Sequence, residues 1–175
     1  MRPQERKSFS KRPKSEFDDR LLEIRRVTRV MAGGKRFSFR ATVVVGDRNG
    51  RIGVGVAKGL DVMAAVTKGR RQAEKKLIMI PRKENRTIPY EVEAKYGAAR
   101  IRVKPASKNH GLIAGGPARV IFELAGMKDI TAKVLGRTKN RLSNAMAALE
   151  ALKMIKIPHG KKEEPKPIVV PEIKE

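Results

Sequence analysis

Lysine and arginine are the side chains of this sequence best suited to strong, directed chemistry, and their spacing fits them to hold phosphate oxygens. Arg36, Arg48, Arg51 and Lys58 crowd glycine-bearing turns and strand ends, while Lys68, Arg71 and Lys75 recur at i, i+3 and i+7, one stripe of a helix. Guanidinium forks match phosphate oxygens in pairs, and glycine turns let backbone N–H groups join them. Charged positions on neighbouring strands add Arg25, Arg29 and Arg40, and the basic turn Ala32-Gly33-Gly34-Lys35-Arg36 adds a second cluster. All of these are candidate RNA-binding residues.

Other chemistries find little support. Cysteine is absent, which removes disulfides, thiolate zinc sites and cysteine nucleophiles and fits a reducing compartment. His110 and His159 are the two histidines, and neither has a carboxylate or hydroxyl partner at a recognisable spacing. No HExxH and no acidic calcium loop is present, so no metal is expected. In Gly53-Val54-Gly55-Val56-Ala57-Lys58-Gly59 the third glycine falls one place too late for a dinucleotide fingerprint, and Gly111–Pro117 lacks the Gly-Lys-Ser/Thr of a phosphate-binding loop. No cofactor is expected, and no enzyme.

The net charge of +23 in 175 residues lies far above the magnitude of about 2 to 8 that solubility requires of a small domain. Its excess is shared almost equally between residues 17–82 and 83–158, whereas 159–175 is neutral, so both halves are basic. A polyanion is the expected partner. No apolar run approaches the length of a membrane span, and the N-terminus lacks the apolar core of a secretory signal. A cytoplasmic protein without a membrane partner is expected.

The elements that must position these cations follow from periodicity. Leu22, Ile24, Thr28 and Val30 alternate with Glu23, Arg25 and Arg29, which predicts a strand ending near Met31. Phe37, Phe39, Ala41, Val43 and Val45 share the apolar face of a second strand, with Ser38, Arg40 and Thr42 on the other. Asn49-Gly50 within Gly46–Gly50 marks a hairpin turn, because both residues tolerate positive φ. Ile52, Val54 and Val56 face the core from a third strand, whose other face begins with Gly53 and Gly55, bare enough for another backbone to approach. Asp61 caps a helix running to about Ile78, in which Gly69 marks close packing.

A second unit begins near Ile88, with strands over Ile88–Lys95 and Ala99–Lys104, a loop through Pro117, a helix from Ala118 to Met127, a strand over Ile130–Leu135 and a helix over Arg141–Ile155. The expected organisation is a disordered basic arm (1–16), a β-β-β-α unit (17–80), a C-terminal α/β unit (88–156) and a flexible tail (157–175), an α+β protein. Lys35–Arg40 is similar to the aromatic strand on which RNA-recognition modules stack bases. Alternation nevertheless puts Phe37 and Phe39 in the core, and the chain has no Trp. Recognition of RNA by shape and phosphate remains, and eight neutralised phosphates would give a log–log salt slope of about −7.

The run FDDRLLEIRRVTRVMAGGKRFSFRATVVVGDRNGRIGVGVAKG, followed by the basic helix and then KPASKNHGLIAGGPARVIFELAGMKDITAKVLG, closely resembles the family of bacterial small-subunit ribosomal protein number five over residues 17–155. The resemblance implies an N-terminal double-stranded-RNA-binding-like module and a C-terminal α/β sandwich domain with a left-handed βαβ crossover. It implies a structural constituent of the small subunit that binds 16S rRNA, fixes head relative to body, and touches ribosomal proteins number four and number eight and mRNA near its entry path, not as a homo-oligomer. The Ala32–Arg36 turn is implied to reach the head near the spectinomycin site. Ser107, Lys108, Asn109, His110, Gly111 and Arg119 are implied to face protein number four, an interface linked to translational accuracy. The chain departs from the family at Asn109-His110-Gly111, where Gly-Thr-Gly is frequent, and at Arg137–Arg141, which adds positive charge. A free RNA chaperone that binds duplexes transiently is the alternative.

Overall fold

The computed structural model describes residues 16–155, so the expected basic arm, apart from Glu16, and the expected tail lie outside the described residues. Strand β1 (Asp18–Met31), β2 (Gly34–Gly46) and β3 (Arg51–Gly59) form an antiparallel meander, followed by helix α1 (Val62–Glu74) and a short β4 (Ile78–Met79) on the edge of β3. A second sheet has the order β5-β6-β8-β7, from β5 (Val92–Tyr96), β6 (Ala99–Pro105), β7 (Leu112–Ile113) and β8 (Ile130–Val134). Helix α2 (Gly116–Leu124) connects the parallel pair β7 and β8, and α3 (Arg141–Lys153) closes the second unit.

Helix α1 lies on β3 because β3 carries almost nothing on that side. A Cβ at Gly53 would overlap the carbonyl oxygen of Ala73, one at Gly55 that of Gly69, and one at Gly59 would stand 2.6 Å from the amide nitrogen of Ala65. Ala65, Gly69 and Ala73 are the buried positions of α1, one helical stripe of small residues facing that glycine row. Ala41, Val43, Val45, Ala65 and Ala73 make the resulting small core, with Phe17, Phe39 and Val66 at its margin.

The opposite face of this sheet departs from simple alternation. Thr42, expected on a polar face, is buried, and Val44 beside it is fully buried. Val44, Ile52 and Val54 pack with Leu22 into a larger core that continues through Ile101, Ile121, Phe122 and Leu149 of the second unit. The valine run 43–45 is therefore continuous because both faces of β2 are covered, one by α1 and the other by the second unit.

Several boundaries also shift. Helix α1 stops at Glu74 because the chain must reverse for Ile78 to pair with Ile52. Ile88 is buried but stands before β5, since Pro89 cannot donate to a ladder and the strand begins only at Val92. Leu112-Ile113, expected as loop, pairs in parallel with Ile130-Thr131. Helix α2 starts at Gly116, two residues earlier than expected, with Pro117 in its first turn, where a missing N–H costs nothing. In α3, Leu149 and Leu152 are buried as expected, together with four alanines, whereas Met154 is exposed.

Gly55→Val tests the closeness of helix and sheet. Its branched side chain must displace the α1 backbone, and overpacking of this kind costs about 3 kcal/mol. Urea unfolding of the full chain should show that loss, and a variant as stable as the parent would refute the account.

Candidate nucleic-acid interface

The third strand ends its pairing with β2 at the Phe39–Gly59 rung, while the β1–β2 ladder continues for five more rungs to Met31–Gly34. Beyond that point the two strands form a projecting ribbon closed by the two residues Ala32-Gly33, with Gly34 at φ +126°. The expected five-residue turn is thus shorter, and Lys35 and Arg36 belong to β2 opposite Val30 and Arg29. Because the ribbon lacks a third layer, Val30 and Phe37, expected in the core, are exposed, and Ile24, opposite Ala41 on the edge strand β1, is exposed as well. Phe37 instead supports the Arg26 guanidinium, 4.7 Å from its ring centre.

Register places like charges side by side. Arg25 stands opposite Arg40, and Arg40 opposite Lys58, so one row of cations crosses three strands. Arg29 stands opposite Arg36 on the same face. Like charges directly across a ladder destabilise it. Glu23 relieves the row through a 2.7 Å ion pair with Arg25, but Arg29, Arg36, Arg40 and Lys58 have no ion pair with any described residue.

Lys68, Arg71 and Lys75 are exposed on or at the end of α1, turned away from the sheet, and likewise have no ion pair among the described residues. Arg25, Arg29, Arg36, Arg40 and Lys58 consequently lie on the side of the first unit opposite the helix cations, whereas Lys35, one position on from Gly34 and opposite Val30, alternates to the helix side. Two other candidates serve the turn Gly46–Gly50. Arg51 binds Asp47 at 2.6 Å and lies over the Phe17 ring, and Arg48, at φ 58°, pairs with Asp18 at 2.9 Å. That turn is also the joint with the second unit. The Arg48 amide donates to Leu124 O at 2.9 Å, and a Cβ on Gly126 would overlap Arg48 O. The joint was not visible in the sequence, where Gly46–Gly50 reads only as a hairpin.

In the second unit, Ser107, Lys108, Asn109 and His110 are exposed on the β6–β7 loop, and Arg119 is exposed on α2 with no hydrogen bond to that loop among the described residues. Asn109 (φ 69°) and Gly111 (φ 83°) turn the loop. Asp129, almost wholly buried, accepts from the Gly111 amide at 3.1 Å and from Arg86 Nε at 2.8 Å, and Arg86 also donates to Asn109 Oδ1 at 3.1 Å. Lys108 pairs with Glu84 at 3.2 Å. Lys104, Pro105, Ala106, Ser107, His110 and Thr131 line an open cleft of about 280 Å³ beside the loop. Arg86 and Asp129 had no motif to mark them, since their partners are distant in the chain.

Three carboxyls are held below the usual carboxylate range. For Asp129 the Gly111 amide is the main cause and the Arg86 hydrogen bond the next, outweighing burial. Burial pushes Asp47 up, but the Arg51 side chain and the amides of Asn49 and Arg51 together overcome it. Glu93 is lowered by its hydrogen bond from Arg102, against burial, and then by Arg100.

Two sheets joined through one core define a two-unit α+β protein with cationic faces, and among the described residues no cluster of His, Cys, Asp or Glu could hold a metal. Among the described residues no helix is long and apolar enough to cross a membrane. The family model for the N-terminal domain of ribosomal protein S5 matches residues 17–81, and that for its C-terminal domain matches residues 94–164. The chain belongs to the ribosomal protein S5 family, whose members are structural and not enzymes.

Among its relatives, the small ribosomal subunit protein uS5 of Gloeobacter violaceus is 50% identical over 142 residues, 81% of this chain but 63% of that protein, less than two thirds of its length. The uS5 of Synechococcus elongatus is 46% identical over 81% of this chain and 78% of its own. That of Nostoc punctiforme is 45% identical over 87% and 88%.

A carboxyl with a depressed pKa binds its proton more weakly folded than unfolded. The stability it contributes is present above the ordinary carboxylate range and is lost as pH falls through the depressed value. Asp129→Asn should lower stability at neutral pH and flatten the acid limb, leaving the slope due to Asp47 and Glu93. Denaturant titrations across about pH 2 to 7 check this, and an unchanged acid limb would count against it.

Proposed function

We propose that the chain is a structural constituent of the small ribosomal subunit, located in the cytoplasm, that binds 16S rRNA through phosphate contacts and helps fix the head relative to the body. Its proposed neighbours are ribosomal proteins number four and number eight, with mRNA near its entry path, and it is not a homo-oligomer. The relatives are named small ribosomal subunit proteins, which supports the assembly. The observation that carries the RNA contact is the set of eight candidate cations left without an ion pair among the described residues: Arg29, Lys35, Arg36, Arg40, Lys58, Lys68, Arg71 and Lys75. A sheet that sets Arg29 against Arg36 and Arg40 against Lys58 tolerates repulsion that a phosphate backbone relieves.

The loop of Ser107, Lys108, Asn109, His110 and Gly111, with Arg119, is proposed to meet protein number four and so to bear on translational accuracy. Its strained shape, held by Asp129 and Arg86, gives a partner a fixed surface to read.

Sedimentation of a lysate after a moderate-salt wash should find the chain stoichiometric in the small-subunit peak, and mainly free protein would overturn the assembly. Lys35→Glu with Arg36→Glu should weaken rRNA binding at least about tenfold, reduce the salt slope by about two, and alter spectinomycin sensitivity, with melting unchanged because both side chains are exposed. Equal rRNA affinity in that well-folded double variant would remove the ribbon from the interface.

A further inference from the structure

We infer that the first unit carries two separate phosphate-binding surfaces on opposite sides of its sheet and holds two RNA segments at once. This rests on the RNA reading above and goes beyond it, since there the cations are treated as one set. The geometry follows from α1. It covers the sheet face that carries Ala41, Val43 and Val45, and it presents Lys68, Arg71 and Lys75 outward from that side. In-register neighbours share a face, so Arg25, Arg40 and Lys58, and with them Arg29 and Arg36, belong to the other side, the side of Thr42 and Val44. At the Val44, Ile52 and Val54 end that other face is covered by the second unit, and toward the ribbon it is open, with Arg29, Arg36 and Lys58 exposed.

Neither set is consumed by the fold. Arg36, Arg40 and Lys58 have no ion pair among the described residues, and neither have Lys68, Arg71 and Lys75. A sheet layer and a helix layer separate the two sets, and a nucleic-acid duplex is stiff over tens of nanometres, so one duplex does not wrap from one face to the other. Each face is wide enough for a few phosphates, and the spacing of about 5 Å between neighbouring strands places cations at separations a backbone can match.

Energy transfer measures this with the full chain and two copies of one short RNA duplex, one labelled with a donor and the other with an acceptor dye, with stoichiometry from analytical ultracentrifugation. The expected result is transfer in a complex of one chain with two duplexes. Arg36→Gln/Arg40→Gln/Lys58→Gln should abolish transfer yet still bind one duplex, with the salt slope reduced by about three. Lys68→Gln/Arg71→Gln/Lys75→Gln should do the same from the other side. Removing like charges from exposed positions, and at Arg40 from a half-buried one without an ion pair among the described residues, should leave melting equal or raised, which separates loss of a surface from loss of the fold.

Transfer that survives either triple variant, saturation at one duplex, or a complex containing two chains would each overturn the inference while leaving RNA binding intact. Failure of the parent chain to bind the duplex at all would overturn the RNA reading and this inference together.

Discussion

The bare backbone of β3 at Gly53, Gly55 and Gly59 lets α1 rest directly on the sheet, and the remaining geometry of the first unit depends on that approach. Gly69 is its counterpart on the helix, at a cost of about 1 kcal/mol in helix propensity relative to Ala. With α1 seated there, Val43 and Val45 are buried on its side, and Val44, Ile52 and Val54 are left to find cover on the other. The second unit supplies that cover. One close backbone contact thereby decides which face is helix-covered, which face joins the two units, and which sides the cations occupy.

The joint between the units is built from the same economy of side chains. Gly46 and Gly126 allow the hairpin turn to lie against the end of α2, where a Cβ on either would meet backbone. Asp47 organises the turn by accepting from the amides of Asn49 and Arg51 and from the Arg51 side chain. Arg20 with Glu123, and Arg141 with Leu22 O, add polar ties across the boundary. The exposed Arg20–Glu123 pair contributes little energy and the Arg141 hydrogen bond is a single tie, so the continuous apolar core is what holds the units together.

Electrostatics divides the basic residues into two kinds. Arg48, Arg51 and Arg86 spend their charge inside the protein, on Asp18, Asp47 and Asp129, and shape turns and loops. Arg29, Arg36, Arg40 and Lys58 are aligned with one another and gain nothing from the fold. A surface selected only for stability would have interleaved carboxylates in those rows, as Glu91 and Glu93 are interleaved with Arg100, Arg102 and Lys104 in the second sheet.

The sequence by itself determined the types of the longer elements, though not the two-residue strands β4 and β7, together with the hairpin at Asn49-Gly50, the glycine face of β3 and the exposure of Lys68, Arg71 and Lys75, because each of these is written in local periodicity or in a residue's own backbone freedom. Its motifs also carried the resemblance that the family matches bore out. Tertiary structure alone decided that Thr42 and Val44 are buried, that Phe37 is exposed on a projecting ribbon, and that Arg86 and Asp129 brace the Ser107–Gly111 loop. It alone set Arg25, Arg40 and Lys58 in one row and put α1's lysines on the other side. Alternation assigns a residue to one of two faces, but what covers each face, and which distant side chain stands opposite, depends on register and packing between segments far apart in the chain.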